Sequence, residues 1–211
     1  MYTPAHFAET RLDVMQALVR AYPLATLVTC GGDGLRADPV PMLWLPDPAP
    51  HGRLIGHVAR ANPVATDIDL NIEALAIFNG PQAYVAPSWY PTKAEHGRAV
   101  PTWNYATVHA RGAVRLIEDP AWLRAQIEAL TQQQEATRDH PWHVDEAPAE
   151  YIQRLLAAIV GIELTITRIE GKWKMSQNQP AQNRAGVVDG LRAETTDGTD
   201  AVAALVARGR G

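Results

Sequence analysis

The chain has 211 residues, 46% of them hydrophobic, which is enough for one sizeable core with appendages. A formal net charge of −4 gives no global electrostatic reason to bind nucleic acid or an anionic membrane surface. The single cysteine, Cys30, excludes an intrachain disulfide and favours a cytoplasmic protein. The N-terminus lacks the basic start and apolar run of a signal peptide, and no apolar run approaches the roughly 18 residues of a membrane span. We therefore expect a protein that neither leaves nor crosses a membrane.

The first part of the chain predicts a helix followed by a β-hairpin. A capping signal and apolar residues at helical spacing predict an amphipathic helix over residues 10–22. Residues 24–30 are apolar and β-branched, the turn signal GGDG follows, and residues 35–45 return as an extended segment. Pro39 and Pro41 lack an amide donor, so the second strand is confined to a sheet edge or a bulge, where its main chain is free for other partners.

Further strands are predicted by apolar and alternating patterns in the middle of the chain. Residues 53–59 form a third strand and residues 74–80 a fourth, and residues 83–86 continue after a Gly-Pro break. Residues 103–118 form a long alternating strand, in which Gly112 indicates a bend or bulge.

Helices are predicted to be inserted after these strands. An Asp-Pro pair begins a helical insertion over about 119–160, with a first helix through about residue 138 and a second around 150–160. Residues 161–171 return to strand alternation, and a helical tail covers about 183–211.

These elements favour an α+β fold over a doubly wound parallel sheet, because the helices do not alternate one for one with the strands. About six strands indicate an antiparallel barrel or sheet. No internal repeat or long linker divides the chain, so we expect a single domain over residues 1–211.

The junction GHVARANP, residues 56–63, joins the third strand to a predicted helix over residues 64–70. Asn62 and the proline after it form an N-cap and N1 pair, so the first amides of that helix would point back toward Arg60. Cationic donors beside free helix amides suit a phosphate monoester. The alternative is that Asn62 only caps, Arg60 lies on the surface and His57 is a sheet histidine with its hydrogen bonds satisfied.

Two later segments also suggest a ligand. Residues 85–109 mix tryptophans and tyrosines with short polar donors, which suits a planar heteroaromatic ligand. Residues 172–180, KWKMSQNQP, form a basic and donor-rich run after a strand. The alternatives are a proline-punctuated loop anchored by core aromatic residues and a solvated polar loop.

The motifs GHVARANP, YVAPSWYPTK, VPTWNYATVHARG and KWKMSQNQP, in this order and spacing, resemble the PaiB family of FMN-binding split-barrel proteins, described as negative transcriptional regulators. The resemblance extends over nearly the whole chain, from MYTPAHF to the GVVDGL segment at residues 186–191. It implies a flavin-reductase-like split β-barrel, similar to pyridoxamine phosphate oxidase, with peripheral helices. It also implies a homodimer with two FMN sites at the subunit interface.

The resemblance assigns cofactor-binding positions in three groups. The phosphate contacts would be Arg60 and Asn62, with the flavin running along His57, Val58 and Ala59. The proline-rich strand would line the same site through Asp38, Pro39 and Val40. The partner subunit would contribute Trp103, Asn104, Lys174 and Gln177.

The resemblance implies a regulatory role, and the alternative from another class is a flavin-dependent oxidoreductase of the FMN reductase or oxidase type. A third alternative is a haem-handling relative on the same barrel. The chain shows no defensible helix-turn-helix, and its acidic balance gives little drive for DNA binding. Any DNA contact would be weak or indirect and would use the basic residues of the tail, Arg184, Arg192, Arg208 and Arg210.

No nucleophile stands out in the sequence, so the catalytic residues stay unassigned. Cys30 reads as a small hydrophobic residue within a strand. His140 and His143 lie in an acidic, proline-broken loop that is more typical of solvated structure than of a metal site.

Overall fold

The structure is a computed structural model that describes residues 1–194, 196 and 198–209. The backbone packs into two compact units. Unit 1 consists of Met1–Leu18, Asn79–Val108 and the chain from Glu170 onward, and unit 2 consists of Val19–Phe78 and His109–Ile169.

The described residues form seven α-helices and eight strands. The helices are α1 (Leu12–Ala21), α2 (Val64–Asp67), α3 (Lys93–His96), α4 (Pro120–Glu135), α5 (Ala149–Ala157), α6 (Ala181–Ala193) and α7 (Thr199–Arg208). The strands are β1 (Ala8–Glu9), β2 (Leu24–Gly31), β3 (Gly34–Pro41), β4 (Leu43–Leu45), β5 (Arg53–Ala59), β6 (Ala74–Val85), β7 (Thr102–Ile117) and β8 (Ile159–Lys174).

The described strands follow the order β3-β2-β6-β7-β8-β5-β4 in an antiparallel sheet, of which β2, β3, β4 and β5 lie wholly within unit 2. β3 lies at one end of this order, which confirms the edge position predicted from its prolines. Pro39 pairs with Thr26 and Pro41 with Leu24. The two prolines are two positions apart, so their backbone nitrogens point to the same side of β3. On the open-edge side no neighbouring strand needs an amide donor, so the missing amide hydrogens cost no hydrogen bond between strands.

The sheet curls, so that its edge strand β3 approaches β5, which lies next to the opposite edge strand β4. A Cβ atom on Gly56 would lie 2.7 Å from the Pro41 carbonyl oxygen and 3.2 Å from Val40 Cγ1, so only glycine permits this approach. The interior between the strands is filled by side chains that are almost fully buried, including Leu27, Leu54 and Ile162. An open antiparallel sheet that curls around such a core is the architecture expected of a split barrel.

Helices α4 and α5 cover one face of this sheet. A buried cluster of Leu123, Val144, Ile152 and Leu156 joins the two helices to the intervening segment, with Trp122 packed against it. Trp122 also lies over β8, because a Cβ on Gly161 would be only 2.4 Å from its Cζ3. The Asp119 carboxylate accepts a hydrogen bond of 3.0 Å from the Ala121 amide, so α4 begins at the predicted cap.

In unit 1, β1 pairs antiparallel with the last part of β8, and α6 packs beside α7. Two glycines one turn apart on α6 allow close contact with Trp89. A Cβ on Gly186 would lie 2.0 Å from the Trp89 carbonyl oxygen, and one on Gly190 would lie 2.3 Å from its Cδ2. Helix α6 is therefore positioned by two glycines that leave room for an aromatic residue.

Three predicted boundaries differ from the structure. Helix α2 ends at Asp67 rather than residue 70, because Ile68 adopts an extended backbone and bridges to Gly31. β6 runs without interruption through the predicted Gly-Pro break, with Phe78 before it and Val85 after it both fully buried. β8 continues to Lys174, past the predicted end at residue 171. None of the described helices has the length and apolar character needed to span a membrane.

Candidate functional site

Asn62 links the start of α2 to the edge strand β3. Its Oδ1 accepts a hydrogen bond of 2.8 Å from the Val64 amide, and its Nδ2 donates one of 2.8 Å to the Asp38 carboxylate. The Ala65 amide donates to the Asn62 carbonyl oxygen at 2.8 Å. The expectation of free helix amides at this junction is therefore wrong, because the turn and the Asn62 cap already use them.

Arg60 uses its guanidinium within unit 2. Nη1 forms an ion pair of 2.7 Å with Glu118, and Nε donates at 3.0 Å to the carbonyl oxygen of Ala157, the last residue of α5. Nη2 donates at 3.3 Å to the Ile159 carbonyl oxygen. A cation at the carboxyl end of a helix is stabilising, so these contacts hold α5 in place. The predicted phosphate contact of Arg60 stays a prediction.

His57 lies on β5 opposite Gly161, so its side chain points to the face of the sheet that Trp122 covers. Its Nδ1 is 2.7 Å from Oε1 of Gln126 on α4. Gln126 is only 1% exposed, and its Nε2 has no hydrogen-bond partner among the described residues. No sequence signal predicted contact between these two residues, which are 69 positions apart.

The other predicted positions of unit 2 differ in exposure. Val58 and Val40 are buried, at 6% and 1% exposure, and they contribute to the core. Asp38 is half-buried, whereas Pro39 and Ala59 are exposed. The structure thus brings Asp38 and Asn62 into contact. The other predicted flavin positions lie on β3 and β5.

Unit 1 contains a cavity of about 290 Å³ that includes two of the predicted partner-subunit residues, Asn104 and Lys174. Polar and cationic side chains dominate its wall. The lining residues are Phe7, Tyr90, Arg98, Ala99, Val100, Thr102, Asn104, Lys174, Ser176, Asn178, Gln179 and Asn183. We call this the unit 1 cavity.

Lys174 is the half-buried cation of the unit 1 cavity. Its Nζ donates to Thr102 Oγ1 and, at 2.9 Å, to the Trp103 carbonyl oxygen. Burial lowers the pKa of Lys174, Tyr105 partly offsets this by raising the pKa, and nearby Lys172 lowers it by a smaller amount. Neither Lys174 nor Arg98 forms an ion pair with a described carboxylate. The cavity wall has two cations and no acidic side chain, which suits an anionic ligand.

Asn104 and Ser176 form a buried pair in the wall of the unit 1 cavity, at 1% and 4% exposure. Asn104 Nδ2 donates to Ser176 Oγ at 3.0 Å, and the hydroxyl lies 3.3 Å from Asn104 Oδ1. Ser176 has a φ of 60°, in the left-handed region that non-glycine residues rarely adopt. Strained backbone that buried contacts hold in place is typical of ligand sites.

The sequence did not single out several of the lining residues. Ser176 belongs to the donor-rich run KWKMSQNQP, but the family resemblance assigned it no contact with the cofactor. Arg98 carried no pattern, because it lies in an irregular segment after α3. Tyr90 is 6% exposed, and burial raises the pKa of its phenol.

Gln177 and Trp103 lie outside the wall of the unit 1 cavity. Gln177 closes a turn: its Oε1 accepts from the Met175 amide at 2.7 Å, and its Nε2 donates to the Trp173 carbonyl oxygen at 2.6 Å. Trp103 is 53% exposed and makes an edge contact with the Tyr84 ring, with centroids 6.0 Å apart.

None of the remaining candidates among the described residues lines the unit 1 cavity. The described residues include no group of three or more His, Cys, Asp or Glu side chains that could hold a metal ion. Cys30 is half-buried rather than fully buried, and it is a free thiol. Arg184, Arg192 and Arg208 lie on α6 and α7, and Arg210 lies outside the described residues.

The chain matches a family model described as "Putative FMN-binding domain" over residues 1–168. It is 36% identical to an uncharacterized protein of Emericella nidulans, over 98% of this chain and 96% of the relative. It is 28% identical to the protease synthase and sporulation protein PAI 2 of Bacillus subtilis, over 98% of this chain and 96% of the relative. The FAD and Heme binding protein from Mycobacterium smegmatis superposes with a TM-score of 0.58 at 17% identity, over 79% of this chain and 73% of that chain. The chain therefore belongs to the PaiB-type family of FMN-binding domains and has the split-barrel fold, and FMN is the cofactor that this family assigns to it.

Proposed function

We propose that this protein is an FMN-dependent oxidoreductase that works as a homodimer, and that the unit 1 cavity binds the phosphate of FMN. The observation that carries the proposal is the pairing of Lys174 and Arg98 in a wall that contains no acidic side chain. A phosphate monoester carries nearly two negative charges near neutral pH, and a lysine serves well as a point-charge partner for it.

The contacts of Lys174 suit this role. Both of its described acceptors are neutral oxygens, so one N–H of the ammonium and the whole charge are left for a ligand. A bound anion would restore the charged form that burial disfavours. The Asn104–Ser176 pair and Thr102 add hydroxyl and amide groups on the same wall.

The size of the unit 1 cavity suits part of the cofactor. Its volume of about 290 Å³ is at the lower end of the range for drug-sized ligands. The flavin ring would then lie on the partner subunit, at the positions that the family resemblance assigns to it, which are His57, Val58, Ala59, Asp38, Pro39 and Val40. FMN supplies two-electron redox chemistry when bound, and the protein supplies binding, orientation and electrostatics.

The alternative place for the FMN phosphate is the junction of Arg60 and Asn62. Arg60 already donates to two carbonyl oxygens and Glu118, and the Asn62 side chain already contacts Asp38 and Val64. To bind phosphate, Arg60 and Asn62 would have to give up some of these hydrogen bonds. Lys174 could bind phosphate and keep its two hydrogen bonds.

The test compares FMN with riboflavin, which lacks the phosphate. Lys174→Met should weaken FMN binding by about tenfold or more and leave riboflavin binding unchanged, because one charge-assisted hydrogen bond is lost. Lys93→Met, on exposed α3 and outside the cavity wall, is the matched control. Arg60→Ala should mainly lower the stability of the fold. A selective loss of FMN affinity in Arg60→Ala and none in Lys174→Met would return the phosphate to the junction.

The homodimer is supported by exposed apolar side chains on both units. Val100 and Trp103 of unit 1 are 74% and 53% exposed, and Leu24 and Leu35 of unit 2 are 61% and 79% exposed. A subunit interface would remove these apolar side chains from water. We expect the interface to bury more than about 2,000 Å² in total, and we expect Trp103, Asn104, Lys174 and Gln177 to serve the partner's flavin.

The oxidoreductase activity is tested by the visible spectrum of the purified protein and by oxidation of reduced nicotinamide. A flavin band with turnover supports the proposal, whereas a Soret band would favour the haem-handling alternative. A flavin band without turnover on any nicotinamide would contradict the oxidoreductase assignment and leave a binding protein.

Regulation is a second candidate, which the resemblance to the PaiB family implies. Helix α7 is a poor recognition helix, because its exposed charged residues in the described chain are one acid, Asp200, and one base, Arg208. We therefore expect weak DNA binding, with a log-log salt slope of about −2 to −4. Nanomolar, sequence-selective binding at physiological salt without turnover would support the regulator instead.

A further inference from the structure

A second and larger concavity lies in unit 1, with a volume of about 900 Å³. Its floor is apolar, and three arginines and one glutamate lie around it. The lining residues are Phe7, Ala8, Glu9, Arg11, Val14, Trp173, Met175, Gln177, Arg184, Leu205, Ala207, Arg208 and Gly209. We call this the arginine groove.

The charges around the arginine groove are unbalanced. Glu9 and Arg11 neutralise each other, with Arg11 Nη2 2.8 Å from Glu9 Oε2 and Arg11 Nε 3.0 Å from Glu9 Oε1. The Arg11 guanidinium accordingly lowers the pKa of the Glu9 carboxyl. Arg184 donates at 3.0 Å only to the Gln179 carbonyl oxygen, and Arg208 forms no ion pair with any described residue. Two cations therefore remain over an apolar floor.

We propose that the arginine groove binds an organic anion with an apolar body, of the medium-chain carboxylate class. A guanidinium recognises a carboxylate through two parallel hydrogen bonds, which fits the unpaired Arg184 and Arg208. The floor of Phe7, Met175 and Leu205 provides apolar surface for a hydrocarbon chain.

Other ligand classes fit the arginine groove less well. A cation would find no free acid, since Glu9 is already paired with Arg11. A polyanion such as nucleic acid would gain nothing from the apolar floor, because its backbone is charged along its whole length. The volume is within the range of small-molecule pockets, so a small ligand fits better than a protein segment.

The arginine groove is separate from the unit 1 cavity, although they share a wall. Phe7 lines both, and successive residues of one loop alternate between them: Met175 and Gln177 line the groove, and Ser176 and Asn178 line the cavity. The proposal therefore does not depend on phosphate binding in the unit 1 cavity.

The test measures binding of octanoate and 1-octanol to the FMN-loaded protein by calorimetry. The two probes share a chain length and differ in charge, so their affinity ratio reports the arginines alone. We expect octanoate to bind about tenfold tighter than octanol or better. Arg184→Gln and Arg208→Gln should each weaken octanoate binding by about tenfold and leave octanol binding unchanged.

Arg192→Gln is the matched control, because Arg192 is an exposed arginine of the same helix α6 and lies outside the groove wall. Equal affinity for octanoate and octanol, or equal losses in Arg192→Gln and Arg184→Gln, would overturn the proposal. Absence of octanoate binding would also overturn the proposal. If the Leu205→Asp variant were then a monomer, the groove would be assigned to a contact with a second copy of the chain.

Discussion

Ser176 provides a test in which one substitution keeps the backbone strain at a position and another relieves it. Ser176 is 4% exposed, has a φ of 60° and is hydrogen bonded to Asn104. Ser176→Ala removes the hydroxyl, keeps the left-handed backbone and leaves the buried Asn104 amide without this partner. We expect a loss of about 1–3 kcal/mol in the free energy of unfolding.

Ser176→Gly loses the same hydrogen bond but relieves the backbone. A left-handed non-glycine residue costs about 1–3 kcal/mol, and glycine returns about 0.5–1 kcal/mol of this through its greater freedom in the unfolded chain. The glycine variant should therefore be more stable than the alanine variant by about 1 kcal/mol. This order is the reverse of that at an ordinary position.

The assay is urea unfolding at one fixed protein concentration, because a dimer makes apparent stability depend on concentration. Ser88 is the matched control: it is exposed, lies in the short 3-10 helix Pro87–Trp89 and has an ordinary φ, so alanine should be at least as stable as glycine there. If glycine is also the less stable variant at residue 176, the strained conformation of Ser176 is wrong. An alanine variant as stable as the native protein would refute the contribution of the hydrogen bond.

Three further changes test other parts of the structure. Gly190→Ala should lower the free energy of unfolding by about 1–3 kcal/mol, because the new Cβ would lie 2.3 Å from Trp89 Cδ2. This loss should occur although alanine favours helix, and a variant that is more stable in urea would contradict the packing. Trp103→Glu should convert the proposed dimer to a monomer in analytical ultracentrifugation, and a dimer that persists at micromolar concentration would argue against this surface as the interface. Arg36 lowers the pKa of the Asp67 carboxyl through a hydrogen bond, so the resulting stability is present above pH ~4 and is lost as the pH falls through the folded-state pKa. Arg36→Met should thus flatten the decline of stability below pH ~4, and parallel acid-unfolding curves for the two proteins would count against it.

Local sequence signals determined much of the secondary structure. The bounds of β5 agree with the prediction from apolar alternation, and α4 begins at the Asp-Pro pair. Pro39 and Pro41 located the edge strand, because a missing amide hydrogen is tolerated only where no neighbouring strand needs it. Asn62 accepts a hydrogen bond from the Val64 amide as a cap would, but the N-cap of α2 is Pro63, one residue later than predicted. Each of these signals depends on a residue's own backbone or on partners a few positions away.

The contacts of the site residues were decided only by the tertiary structure. Arg60 reaches α5 and Glu118, His57 reaches Gln126 across 69 positions, and Asn104 meets Ser176 across 72 positions. The motifs identified most of these residues as candidates for the site. A motif does not show which distant residue each side chain will contact. Which side chains meet depends on strand register and on the helix that covers each face, and a shift of one residue in register would turn every side chain to the opposite face.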